Sequence, residues 1–234
     1  ALLTALIDLT LEKFRDLMRQ GAVLIDPSDH GTDPRFLAYL ENTITDGRRH
    51  GSASDGQSGR GRILSRQFEF VEIRADGSSQ RAGYAPYLDY AAATPEQIEA
   101  ADPILTAPWL TANLEEKAVE FAVSHHVPEH LREVKARRDN HIRKAEQQIH
   151  ERLTREIMHW NNRAVVLEEK ERAGKNRSRL NSAKARARAE SLSERLDLRM
   201  TELEEEKQIV AHPPNVLGGA LVIPQGWFAA HAPG

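Results

Sequence analysis

The sequence predicts an α+β fold: a small antiparallel β-sheet with packed helices, into which a long antiparallel coiled-coil hairpin is inserted. Three observations predict it. Short apolar runs bounded by turn residues occupy the first ninety positions. Two long segments with apolar residues at steps of three and four flank a turn near residue 174. A last apolar run, Asn215–Pro224 (NVLGGALVIP), follows Pro213-Pro214 and returns most simply to the sheet. The expected organisation is a body over 1–127 completed by 213–226, an arm over 128–212, and a tail over 227–234.

Each element has a local reason. Residues 3–19 place Leu3, Leu9, Leu11, Phe14 and Leu17 among Asp8, Glu12 and Arg15, the pattern of an amphipathic helix, and Gly21 ends it in the left-handed conformation. Ala22–Asp26 (AVLID) reads as a buried strand stopped by Pro27, and Phe36–Thr45 as a second strand. Residues 46–62 lack apolar periodicity and form a Gly/Ser-rich loop. Its arginines at 48, 49, 60 and 62 suit either a solvated hairpin loop, the favoured reading, or phosphate contact. Ile63–Arg74 is the clearest strand: Phe68 and Phe70 share one face while Val71 and Ile73 share the other, which predicts a bulge or burial on both faces. Ala75-Asp76-Gly77 predicts a hairpin turn into a return strand over Gln80–Tyr90. Tyr84, Tyr87 and Tyr90 on it suit a sheet rim better than base stacking. Thr94-Pro95-Glu96 opens a helix with Thr as N-cap, and a further helix covers Leu110–His125.

The arm starts with Pro128 in the first turn of a new helix. Its seam is Ile142, Ala145, Ile149, Leu153, Ile157, Trp160, Ala164 and Leu167, and a continuous helix to Glu171 spans roughly 65 Å at 1.5 Å per residue. Ala173-Gly174-Lys175-Asn176 is the turn. The returning seam reads Leu180, Ala183, Ala187, Leu192, Leu196, Met200 and Leu203, which sets Ala164 against Ala183 and the Trp160 indole against Ala187.

Composition bounds the function. A hydrophobic content of 40% with 29% charge suits a modest core plus solvated helices. The absence of cysteine excludes disulfides and thiolate metal sites and, with no apolar run of about 20 residues, points to the cytoplasm rather than a membrane. The chain starts at Ala1, already in a helical pattern, and reads as a piece of a longer protein. Charge is distributed unevenly. Lys170, Arg172, Lys175, Arg177, Arg179, Lys184, Arg186 and Arg188 lie within 19 residues that hold one acid, Glu171. This tip carries +7, and since the chain is −3, everything else carries −10. Such asymmetry marks a polyanion site on an acidic body. Arg177, Lys184 and Arg188 fall on one flank of the seam and Arg179 and Arg186 on the other, so both sides can meet phosphates. With no interleaved aromatic, backbone contact is expected rather than base stacking. The competing reading is a solvated helical face, but eight bases against one acid are not the balanced mixture of such a face.

Catalytic signatures are missing. Gly174-Lys175 is followed by Asn176, and Glu169 stands where a P-loop has its first glycine. GxGxxG, GxSxG and HExxH are absent. His125, His126 and His130 are the nearest approach to a metal site, but Pro128 intervenes and a polar helix junction is favoured; no catalytic residue and no metal ligand is assigned.

TREIMHWNNRAVVLEEKERAGK, then RLNSAKARARAESLSERLDLRMTELEEEKQI, then NVLGGALVIPQG resemble the region that follows the motor in large bacterial Swi/Snf-type helicase-like ATPases of superfamily two, such as the helicases of DISARM-type phage defence. FEFVEIRADGSSQRAGYAPYLDY is similar to the sheet that precedes the arm in such proteins. The resemblance is strongest from about Arg152 to Gln225. It implies an ATP-driven duplex-DNA translocase whose ATP and Mg sites belong to motor domains outside this chain, since every motor motif is missing here. The chain is then expected to be a non-catalytic C-terminal region that grips duplex DNA, couples the motor domains of the same protein to a partner, or both. Two other readings stay open: a protein-interaction arm with a basic tip, and an RNA-binding helical hairpin.

Overall fold

The computed structural model describes residues 2–47, 61–174 and 181–231. It shows the expected α+β fold. The elements run α1 (Leu2–Gln20), β1 (Ala22–Asp26), β2 (Arg35–Asp46), β3 (Ile63–Arg74), β4 (Ser79–Arg81), β5 (Ala91–Ala92), α2 (Pro95–Ala100), α3 (Asp102–Leu105), α4 (Leu114–Phe121), α5 (Val127–Arg172), α6 (Ser182–Lys207), β6 (Ile209–Ala211), β7 (Asn215–Pro224) and α7 (Gln225–Ala230). They group into two compact units. One comprises Ala1–Ile44, Ile63–Arg132 and Ala211–Gly234; the other comprises Thr45–Arg62 and Glu133–Val210.

The first unit is built on a sheet of order β4-β3-β2-β7-β1-β5, with β6 pairing β2 off this path. The sheet is mixed rather than wholly antiparallel: β7 is antiparallel to β2 but parallel to β1. A parallel pair needs a long crossover, and here everything between β1 and β7 supplies it. The β2–β7 register breaks between Tyr39 and Leu40, where Leu217 is skipped. Two adjacent glycines let neighbours approach β7 from either side. A Cβ on Gly218 would stand 2.4 Å from the Met18 carbonyl of α1, and one on Gly219 would stand 2.2 Å from the Phe36 ring. Gly21 ends α1 at φ 78°, as its position predicts.

One face of the sheet is covered in two places. Ala38, Leu40, Val71 and Ile73 pack with Leu114, Ala118 and Ala122; Ile25, Leu221 and Ile223 pack with Ala101, Ile104 and Trp227. The described part of the predicted tail, to residue 231, therefore includes most of helix α7, anchored by the Trp227 indole. Phe68 and Phe70 stand on the other face, beside Tyr39.

Three local expectations need correction. The return strand is only Ser79–Arg81, because Gly83 and the left-handed Ala85 turn the chain into a 3-10 turn over Pro86–Asp89. The three tyrosines then diverge: Tyr84 is 94% exposed, Tyr87 tilts against Phe70, and Tyr90 lies under Arg35. Pro128 does not open a separate helix. Leu114 to Arg172 is one run of about 59 residues, with a π turn at Ala122–His126. Leu114, Ala118, Ala122, His126 and His130 are buried at steps of four. An α-helix drifts about 40° at each such step, and the wider i→i+5 turn absorbs part of that drift. The N-cap at Thr94 forms as expected, with a full capping box to Gln97.

In the second unit the α5 seam is as predicted, with Ile142, Leu153, Ala164 and Leu167 buried. The α6 seam is not. Ala185 and Ala189 are buried, while Ala183 and Ala187 are exposed. Counting back from Leu192 by three and four reaches 189 and 185; reaching 187 needs a step of five, which turns the residue off the seam. Ala185, not Ala183, packs with Ala164 and Leu167, and Trp160 lies against that cluster.

Candidate nucleic-acid interface

The basic tip lies where α5 ends and α6 begins. Asn181 caps α6 by accepting the Lys184 N–H at 2.9 Å. Glu171, the single acid of the stretch, accepts from the Ser182 N–H at 2.8 Å and the Ser182 hydroxyl at 2.7 Å. Its charge thus sits at the positive N-terminal end of α6 and ties the two helices together.

Lys170, Arg172, Lys184, Arg186 and Arg188 are all exposed. Lys175, Arg177 and Arg179 lie outside the described residues, as do Arg48, Arg49 and Arg60 of the β2–β3 connection. With Ala185 on the seam, Lys184 and Arg188 share one flank and Arg186 takes the other, as predicted. Two of the arginines are occupied. Glu168 accepts from Arg172 at 2.7 Å and also pairs with Arg186. This clamp was missed because Glu168 lies two residues outside the charge run, while an i,i+4 acid–base spacing was its available signal. Lys170 and Arg188 have no ion pair among the described residues. The arrangement offers charge to an extended anion and no aromatic surface to a base.

At the other end of the β2–β3 connection, Arg62 is exposed and its N–H donates to the Asp46 carboxylate at 2.8 Å. This bond pins the loop ends through the backbone and does not involve the guanidinium.

Two polar clusters in the first unit were not foreseen. Arg35 at the start of β2 pairs with Asp26 at the end of β1, with Asp29 at 2.8 Å and with Glu72 of β3 at 3.6 Å, and its guanidinium lies over the Tyr90 ring. Burial works against the Asp26 charge, but the Ser28 hydroxyl and amide together with Arg35 hold its carboxyl below the ordinary value. Burial likewise opposes the Arg35 charge, and Tyr90, Asp26 and Glu72 outweigh it. On the same face, burial first, then Tyr87 and Glu41, push the Tyr39 hydroxyl up to about 12.

The histidines divide. His125 is exposed and stacks on Phe121. His126 pairs through Nδ1 with Glu69 of β3, which also accepts from Asn42 at 2.9 Å, and His130 Nε2 lies 2.8 Å from the Ser65 hydroxyl. The His126 side chain is fully enclosed, so this network joins the helix to the sheet and offers nothing to a substrate. No group of three or more His, Asp or Glu side chains able to hold a metal ion occurs among the described residues. No described helix is long and apolar enough to cross a membrane.

No family model matches the chain, and no curated protein or solved structure matches it.

Proposed function

We propose that this chain is the non-catalytic C-terminal region of a bacterial Swi/Snf-type helicase-like ATPase, acting in the cytoplasm, whose arm grips duplex DNA by its phosphates and couples the motor to its track. The observation that carries the reading is the exposed basic tip, where Lys170, Arg172, Lys184, Arg186 and Arg188 surround a turn whose own acid is consumed by the α6 cap. The sequence resemblance supplies the motor. ATP and Mg belong to that motor, with no site for them assigned here. Phosphate contact releases condensed counterions, so binding is steeply salt-dependent and nearly indifferent to sequence.

The test is fluorescence anisotropy of labelled duplex DNA against this chain over a range of salt concentrations. The comparison is a variant carrying Lys170→Gln, Lys184→Gln and Arg188→Gln, which spares the Glu168 clamp. The expected result is micromolar or tighter duplex binding, with a log–log salt slope that flattens in the variant by up to about 3 units, at roughly 0.9 per phosphate contact. Preference for structured RNA overturns the DNA assignment. Absence of nucleic-acid binding at low salt overturns the grip and leaves an acidic protein surface as the partner of the tip.

A further inference from the structure

The two sides of the arm carry different charge. At about 100° per residue, Arg152, Arg163 and Lys170 of α5 fall within about 20° of one another, on one flank of the seam residues Leu153, Ala164 and Leu167. Lys184, Arg188 and Arg195 of α6 fall within about 40°, on one flank of Ala185, Ala189 and Leu192. These flanks adjoin, since Arg152 and Arg195 line one groove of about 300 Å³ between the helices. All six cations are exposed. One acid accompanies them, Glu156, 3.9 Å from Arg152, and Glu202, held by Arg199 at 2.6 Å, ends the run at its foot. Arg163, Lys170, Arg188 and Arg195 have no ion pair among the described residues. Across the seam the balance reverses. There Glu168, Glu190 and Asp197 stand with Arg172 and Arg186, and Glu168 holds both arginines.

We infer that duplex DNA lies lengthwise along this one side of the arm, its phosphates meeting Arg152, Arg163 and Arg195 on the shaft as well as Lys170, Lys184 and Arg188 at the tip. The inference rests on the reading of the arm as a duplex grip and adds to it the side used and the length covered. Arg172 and Arg186, on the far side and tied to Glu168, then take no part. From Arg152 to Lys170 the helix rises roughly 27 Å. One strand of a duplex carries a phosphate about every 3.4 Å, so the row of cations matches about eight base pairs. A row this long favours a polymer with fixed anions at a regular spacing, and a tip that met its partner end-on would leave the shaft cations without a role. The remaining side chains of the two flanks, His159, Val166, Ser191 and Leu198, bring no further charge of either sign at neutral pH beyond a histidine, so the contact is to backbone and indifferent to sequence.

The test compares two triple variants of equal charge in duplex anisotropy titrations over a range of salt. One removes the shaft cations (Arg152→Gln, Arg163→Gln, Arg195→Gln). The other removes three exposed arginines from the far side (Arg143→Gln, Arg172→Gln, Arg186→Gln). Glutamine keeps the helix propensity of arginine, and unchanged helical circular dichroism confirms that each variant folds. The expected result is at least a tenfold loss of duplex affinity in the shaft variant, with a log–log salt slope flatter by up to about 3 units at roughly 0.9 per phosphate contact. The far-side variant should stay within about threefold of the native chain, with its slope changed by less than about 1 unit. Equal losses in the two variants overturn the inference, because they report net charge and not a side. Binding that falls with the tip substitutions but not with the shaft substitutions also overturns it, and leaves the grip reading standing. A native chain that binds no duplex at low salt, or prefers structured RNA, removes the grip reading and this inference with it.

Discussion

At the scale of single residues, Arg35 has the largest consequences. Its side chain is 11% exposed, with Asp26, Asp29 and Glu72 around it, so three strands and a loop converge on one guanidinium. Burying an ion costs several kcal/mol, and removing one partner of a buried set leaves that cost uncompensated. Arg35→Met, which keeps most of the volume, is expected to destabilise the body by about 3–5 kcal/mol. A lower midpoint of urea unfolding with an unchanged slope is the check. The pH dependence has a defined sign. The Asp26 carboxyl is held below its ordinary value of 3.8. Its contribution is therefore complete above that value and is lost as pH falls through the lower folded value. In Arg35→Met the Asp26 carboxylate loses its counter-charge and favours protonation. The gap between the native chain and the variant should thus narrow as pH drops below about 4. A gap that stays constant from pH 7 to pH 3 would show that packing, not charge, is what Arg35 provides.

Among elements, the seam of α6 separates what sequence determines from what packing determines. Steps of three and four fixed α5 because its seam residues are large and distinct, from Ile142 to Leu167. In α6 the first turns read alanine at every second position, 183, 185, 187 and 189, so size gave no phase and only Leu192 could anchor the count. Expected effects differ sharply between neighbours. Ala185→Leu forces bulk against Ala164 and Leu167 and should cost about 1–3 kcal/mol. Ala187→Leu, at an exposed position, should change stability by less than about 0.5 kcal/mol. Thermal melts of the two variants settle the register, and equal costs would reject it. The same contrast explains the rest of the reading. Strands β1, β2, β3 and β7 were legible because turn residues bracket β-branched and aromatic runs. The long helix was not legible as one piece, because Pro128 looked like a boundary and the step-of-four stripe needs a π turn to stay on one face. Of the candidate site, the exposed cations were legible from the charge run. The ion pairs that occupy Arg172 and Arg186 were not, because Glu168 lay outside that run.

At the scale of the whole chain, the two units have cores that share no residue. The clusters around Ala38 and Ile25 draw only on the first unit, and that around Ala185 only on the second. Stability and charge are therefore separable by excision. Facing residues of the arm sum to about 350 in number, as Ala164 with Ala185 and Glu146 with Lys207 show. Removing residues 157–193 and closing the ends with a short glycine-rich turn thus keeps the remaining helices in register, and it retains the Arg138–Glu206 and Lys207–Glu146 pairs. The excision takes away the entire basic tip and leaves a more acidic chain. Calorimetry of the shortened chain should keep the transition of the body at its native temperature within a few degrees, because no residue of either body cluster is lost. Duplex affinity at low salt should fall by at least tenfold, because electrostatic binding follows the number of cations that meet phosphates. If the body transition moves by more than about 10 °C, the cores are coupled and the two units do not fold independently. If duplex binding survives, its cations lie elsewhere, and the described candidate outside the arm tip that the loop reading names is Arg62, next to the arginines at 48, 49 and 60.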